Sequence, residues 1–251
     1  MTRAKLKQII REIVKSETSR RRITERKMKL KEGVEFFEPT EENFEKFDLD
    51  FSAAKIGKDG SVSYNDVLKI DGKLTGGIIP FKFKDCSDWF WADGVNSLEG
   101  APQKVGGDFK LSNYNGTDFK GGPSKIGGEI EIQYAKNLSS MKDAPSKVTK
   151  ITIERAALNS FKDMPKAEHY VISGCPISSF DGLPNKVGYL WVRGSGIKSF
   201  DGIPKNVGFL NIVDCPLFDK HKKSLSKVKP EVAIEWLKDN AGTTVEKYST
   251  I

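Results

Sequence analysis

The chain has 251 residues, 37% of them hydrophobic, with 23 glycines, which allows one or two domains but only a thin core broken by many turns. No run approaches the roughly eighteen apolar residues of a membrane-crossing helix, and the charged start lacks the apolar centre of a secretory signal, so export by that route is not expected. The net charge of +7 is uneven: residues 1–32 carry twelve Lys or Arg and four Glu, leaving 29 basic and 30 acidic groups on the other 219 residues.

Residues 3–16 (RAKLKQIIREIVKS) place Leu6, Ile9, Ile10, Ile13 and Val14 on one stripe of a helix, with basic residues around the rest. About fourteen residues is marginal for an isolated helix, so this basic amphipathic helix is expected to fold only where the stripe meets a partner. Residues 17–32 have weaker periodicity and read as a second helix or an extended arm. From Glu35 to Phe51 the sign reverses, with seven acidic groups to one lysine interleaved with Phe36, Phe37, Phe44, Phe47, Leu49 and Phe51. Thr40 suits an N-cap. This segment reads either as a clamp on the basic head or as a cap on the open N-terminal edge of the repeats that begin after it, and the cap is the favoured reading because the phenylalanines need burial.

From Pro80 to Pro204 the chain repeats itself. Pro80, Pro102, Pro123, Pro145, Pro165, Pro184 and Pro204 are 22, 21, 22, 20, 19 and 20 residues apart. The phrase is clearest in SFDGLPNKVGYLWV (179–192) and SFDGIPKNVGFLNI (199–212), with earlier copies at 97–111, 118–132, 139–153 and 159–172. A period near twenty is that of a solenoid whose units bury their apolar edges only against one another. Aligned on the prolines, the inward strand positions are Phe109 and Leu111, Ile130 and Ile132, Ile151 and Ile153, Tyr170 and Ile172, Leu190 and Val192, Leu210 and Ile212. Residues 55–79 read as one or two degenerate opening repeats. Beyond the repeats, Pro230 opens a final turn or short helix, and residues 240–251 are expected to be a frayed tail.

Positions between the inward ones face solvent. The N-terminal rows are mixed and charged, whereas the last three gather His169, Tyr189, Trp191, Arg193 and Phe209, residue types that dominate interfaces. This is the candidate partner-binding patch; the competing reading has the C-terminal segment fold back over Trp191. Trp89 and Trp91 form a second exposed group, expected to be covered by the acidic phenylalanine-rich segment. A further reading assigns nucleic-acid association to Arg20, Arg21, Arg22, Arg26, Lys27 and Lys29, with a steep salt dependence.

The unit carried by SLEGAPQKVGGDFKLS (97–112), SFDGLPNKVG (179–188) and SFDGIPKNVG (199–208) resembles the short leucine-rich-like repeats of tailed-bacteriophage proteins, over roughly residues 60–217. Where those repeats often carry Cys-Ser-x-Asn, this chain has LSNYN (111–115) once. The opening LKQIIREIV (6–14) is similar to short N-terminal helices of other phage proteins. The resemblance implies a leucine-rich-repeat-like solenoid, mainly β with short turns or 3-10 segments, behind an N-terminal amphipathic basic helix. It also implies a phage protein of the virion or of the infected-host cytoplasm.

Signatures of chemistry are missing from the sequence: the two histidines, His169 and His221, stand apart, and HExxH, Cys-x-x-Cys and GxSxG motifs are absent. Cys175 and Cys215 lie two repeats apart, on the order of 10 Å against a disulfide's reach of about 7 Å, which favours a reducing compartment. No catalytic residue, metal, cofactor or small-molecule substrate is expected. The organisation read from sequence is a basic helix or arm (1–32), an acidic aromatic linker and cap (33–58), a solenoid (59–217) and a C-terminal cap and tail (218–251). The expected function is non-enzymatic: a virion-associated structural or accessory protein that binds proteins through the solenoid and is anchored by its first helix. The alternatives are binding a host factor during infection, or nucleic-acid association through residues 1–32.

Overall fold

Alternating apolar residues make a strand with one buried face, and a repeat near twenty residues returns the chain to the same place one strand spacing further on. The structure, a computed structural model that describes residues 27–29, 35–226 and 229–249, is a parallel β-solenoid built in this way. Its opening elements are β1 (Lys27–Lys29), β2 (Glu35–Phe37), α1 (Glu41–Lys46), β3 (Ala54–Ile56), β4 (Val62–Tyr64), β5 (Leu68–Asp71) and α2 (Gly72–Thr75). The coils supply β6 (Phe83–Cys86), β7 (Phe90–Asp93), β8 (Lys104–Val105), β9 (Phe109–Ser112), β10 (Lys125–Ile126), β11 (Ile130–Gln133), β12 (Lys150–Glu154), β13 (His169–Ser173), β14 (Lys186–Arg193) and β15 (Asn206–Val213). The chain closes with α3 (Pro216–Lys220), α4 (Lys222–Leu225), α5 (Pro230–Ala241) and β16 (Thr244–Ser249).

Nine strands form the long sheet, in the order β16-β15-β14-β13-β12-β11-β9-β7-β5, and a second sheet runs β10-β8-β6-β4-β3. All these pairings are parallel except β3 with β4. Register is kept across the long sheet. Phe90, Phe109, Ile130, Ile151, Tyr170, Leu190, Leu210 and Tyr248 form one inward column, and Ala92, Leu111, Ile132, Ile153, Ile172, Val192 and Ile212 a second. Every member is buried, and each large aliphatic side chain so buried contributes about 1.5–3 kcal/mol. The inward pairs read from the proline alignment are therefore the core of the solenoid.

Each coil turns at two left-handed corners. One follows the long-sheet strand (Gly94, Asn113, Tyr134, Arg155, Gly174, Gly194, Asp214) and one precedes the proline (Gly100, Gly121, Asp143, Asp163, Gly182, Gly202), all with positive φ. Between the two sheets Gly127 passes so close to the preceding coil that a Cβ there would overlap the Gly106 carbonyl oxygen, which is why the phrase carries glycine at this point.

At the N-terminal edge Thr40 caps α1 through its hydroxyl, which accepts from the Asn43 N–H. Phe44 then stacks on Phe81 (4.4 Å between centroids), and Phe47 meets Phe37 edge-to-face (4.9 Å). The acidic segment thus buries its phenylalanines on the first coil, away from Trp89 and Trp91, which remain 46% and 37% exposed. The expected cover over these two tryptophans is absent because the phenylalanines have nearer partners in Phe81, Phe83 and Tyr64.

The C-terminus also departs from expectation. Residues 244–249 are strand β16, parallel to β15, with Val245 and Tyr248 buried. Thr243 ties it in, its hydroxyl donating to the Pro204 carbonyl (2.6 Å). An unpaired β15 edge offers a row of backbone donors and acceptors. The segment TTVEKYS, strand-like by composition, fills that edge instead of fraying. Helix α5 is the crossover and lays Trp236 against Phe200 (5.9 Å) and His221 (4.9 Å).

Candidate functional site

Because strand residues alternate, the long sheet presents one continuous outer face. Its register brings the sequence-predicted patch together: His169 lies beside Tyr189, Tyr189 beside Phe209, and Val171 beside Trp191, with Arg193 beside Ser173 and Val213. The Tyr189 and Phe209 rings stack at 4.7 Å and 6°, and His169 stands 6.0 Å from Tyr189. Tyr189, Trp191 and Phe209 are half-buried by this packing, while His169 and Arg193 are exposed. The Arg193 guanidinium donates to the Asp214 carboxylate (2.9 Å), an exposed pair contributing on the order of 0–1 kcal/mol that holds the guanidinium at the rim. The C-terminal segment extends the sheet edge with β16 rather than folding over Trp191.

A second aromatic group occupies the other end of the face. Trp89 and Trp91 border a hollow of about 270 Å³ lined also by Val67, Lys110, Leu111, Ser112, Glu131 and Gln133. Lys69 reaches over Trp91 (4.6 Å) and Lys110 over Trp89 (4.9 Å), and the Trp91 indole N–H donates to the Ser112 hydroxyl (3.3 Å). Beneath them the buried Cys86 thiol lies within 3.3 Å of the Trp89 carbonyl. Burial pushes its ionisation up, which disfavours the thiolate. Between the two aromatic groups the face is ion-paired, Lys110 with Glu131 and Lys150 with Glu129, both at 3.0 Å.

Two rim residues were not singled out by sequence reasoning. Tyr134 and Arg155 hold left-handed backbone (φ 57° and 54°), which costs a non-glycine residue roughly 1–2 kcal/mol. Arg155 stands 5.3 Å over the 39%-exposed Tyr134 ring. Their signal in the sequence was a large residue at the place where other coils carry Gly, Asn or Asp.

The remaining sequence-predicted residues fall elsewhere. Leu6, Ile9, Ile10, Ile13, Val14, Arg20, Arg21, Arg22 and Arg26 lie outside the described residues, as does the N-terminal helix they imply. Lys27 and Lys29 are on β1, whose backbone pairs antiparallel with β2. Among the described residues no helix is long and apolar enough to cross a membrane, and no three His, Cys, Asp or Glu gather as a metal site. Cys86, Cys175 and Cys215 are buried free thiols. No protein-family model matches the chain, and comparison with curated proteins and with solved structures finds no match.

Proposed function

We propose that this chain is a non-enzymatic scaffold whose long-sheet outer face docks a protein partner. The observation that carries the reading is the pair of aromatic groups on one face, Trp89 with Trp91 and Tyr189 with Trp191 and Phe209. Trp91 and Trp191 are five strand spacings apart, about 24 Å. Trp, Tyr and Arg are the residue types that anchor interfaces, and an ion-paired strip between two anchors supplies register. The nine-stranded face measures about 38 Å by 16 Å, on the order of 600 Å². That is most of the roughly 800 Å² that a standard interface buries on each partner.

The resemblance of the repeat phrase to leucine-rich-like units of tailed phages supports the finer reading, a virion-associated structural or accessory protein anchored by its basic N-terminal helix. Mass spectrometry of purified particles tests it, comparing the wild type with Trp191→Ala combined with Arg193→Ala. Recovery of the wild type in particles and at least tenfold depletion of the double variant is the expected result. Absence of the wild-type chain from particles would instead favour a host factor as the partner. Equal recovery of the two would remove this face from the interaction.

A further inference from the structure

The flank that adjoins the aromatic face at the start of β14 repeats one position without variation in charge. Lys104, Lys125, Lys147, Lys166 and Lys186 follow the prolines of successive coils. Lys104 pairs in register with Lys125, and Lys147 with Lys166, while Asp85 and Asn206 stand at the two ends of the row. All five are exposed, and none is ion-paired among the described residues. Four of them line a groove of about 760 Å³ together with Gly127, Val148, Thr149 and Gly188, and its one acidic member is Glu168.

Like charges on neighbouring strands repel one another. The core does not require lysine at this exposed position. On the outer face Lys110 and Lys150 are each neutralised by a glutamate at 3.0 Å. A second lysine row on another edge is three long (Lys120, Lys142, Lys162), and two of its members are followed directly by Asp143 and Asp163. The five-lysine row is thus a longer unneutralised line of charge than either of these, among the described residues of a body whose basic and acidic groups nearly cancel in total.

We infer that this groove is a binding site for single-stranded nucleic acid. The five lysines span four strand spacings, about 19 Å, in a line one charge wide. A single phosphodiester strand, which extends freely beyond the roughly 3.4 Å per phosphate of a stacked strand, can follow that line, whereas a duplex backbone curves away from it. Four of the five lysines share one shallow groove, a linear track of the kind a single strand follows. His169 and Tyr189 directly follow the groove residues Glu168 and Gly188 in the chain, so aromatic rings of the kind on which unpaired bases stack stand next to it in sequence.

The test is fluorescence anisotropy of a labelled twelve-residue oligothymidylate with the full chain, between 0.05 and 0.3 M salt. Replacing Lys125→Gln, Lys147→Gln and Lys166→Gln together is expected to make the slope of log K against log salt shallower by about 2, and to weaken binding on the order of 100-fold at 0.1 M salt. The Lys→Arg version of the same triple variant retains binding, which separates lost charge from lost fold. Lys120→Gln, Lys142→Gln and Lys162→Gln, the same charge change on another edge, stay within about threefold of wild type. An unchanged slope in the groove variant would overturn the site and leave any binding to residues 1–32. Equal or tighter ladder-dependent binding of a twelve-base-pair duplex, or of phosphatidylserine vesicles, would overturn the ligand class.

Discussion

Two tyrosines of one inward column make opposite demands on the fold. Tyr170 and Tyr248 are three strands apart in register, and both are buried. The Tyr170 hydroxyl accepts from the Ala167 N–H (2.9 Å) and donates to the Pro165 carbonyl (3.0 Å). It replaces backbone pairing in a coil whose second-sheet segment is reduced to a bridge between Lys147 and Lys166. The Tyr248 hydroxyl is buried with no partner, and burial pushes its ionisation up. Tyr170→Phe strands two buried backbone groups and is expected to cost about 1–3 kcal/mol, whereas Tyr248→Phe removes an unsatisfied hydroxyl and is expected to gain up to about 1 kcal/mol. For a chain of this size that means a melting temperature lower by about 2–12 °C in the first case and higher by up to about 2–4 °C in the second. Because stacked repeats do not always unfold in one step, amide exchange at Ala167 should be read as well, and it should accelerate only in Tyr170→Phe. A shift of the same sign in both variants, or unchanged protection of Ala167, would refute this hydrogen-bond accounting.

The same geometry predicts three further outcomes. Gly127→Ala drives a methyl group into the Gly106 carbonyl and is expected to cost at least the roughly 1–3 kcal/mol of ordinary overpacking; a urea midpoint within error of wild type would show that the coils slide apart freely. Burial pushes the Tyr114 hydroxyl up to about 12 from 10.0, so above pH 10 the unfolded chain releases a proton that the folded chain keeps. The Tyr114 contribution is complete below pH 10 and is lost as pH rises toward about 12, a fall of about 3 kcal/mol. Urea unfolding of wild type and Tyr114→Phe at pH 9 and pH 12 isolates it, and parallel curves would contradict it. Trp89→Ala, at a site 46% exposed, is expected to leave thermal stability within about 1 kcal/mol of wild type while removing the anchor at its end of the face, read as loss of partner binding in the particle assay.

How far the sequence reached depended on what each position answers to. Inward columns were legible because alternation and a proline every twenty-odd residues leave one consistent register, and the same register assembled His169, Tyr189, Trp191 and Phe209 into one patch. Strand β16 was not legible, since TTVEKYS reads as a tail until the open edge of β15 is there to pair with it. Tyr134 and Arg155 show the same limit at corners. Local preference argues against left-handed backbone for a tyrosine or an arginine, yet the Tyr134 N–H donates to the Glu154 carbonyl (2.9 Å) and the Arg155 N–H to the Ser173 carbonyl (2.8 Å). Corners are therefore imposed by the stack and not chosen by the residue. Side chains at corners and on outer faces are correspondingly free of the core's demands, and so is the exposed lysine that recurs through five consecutive coils.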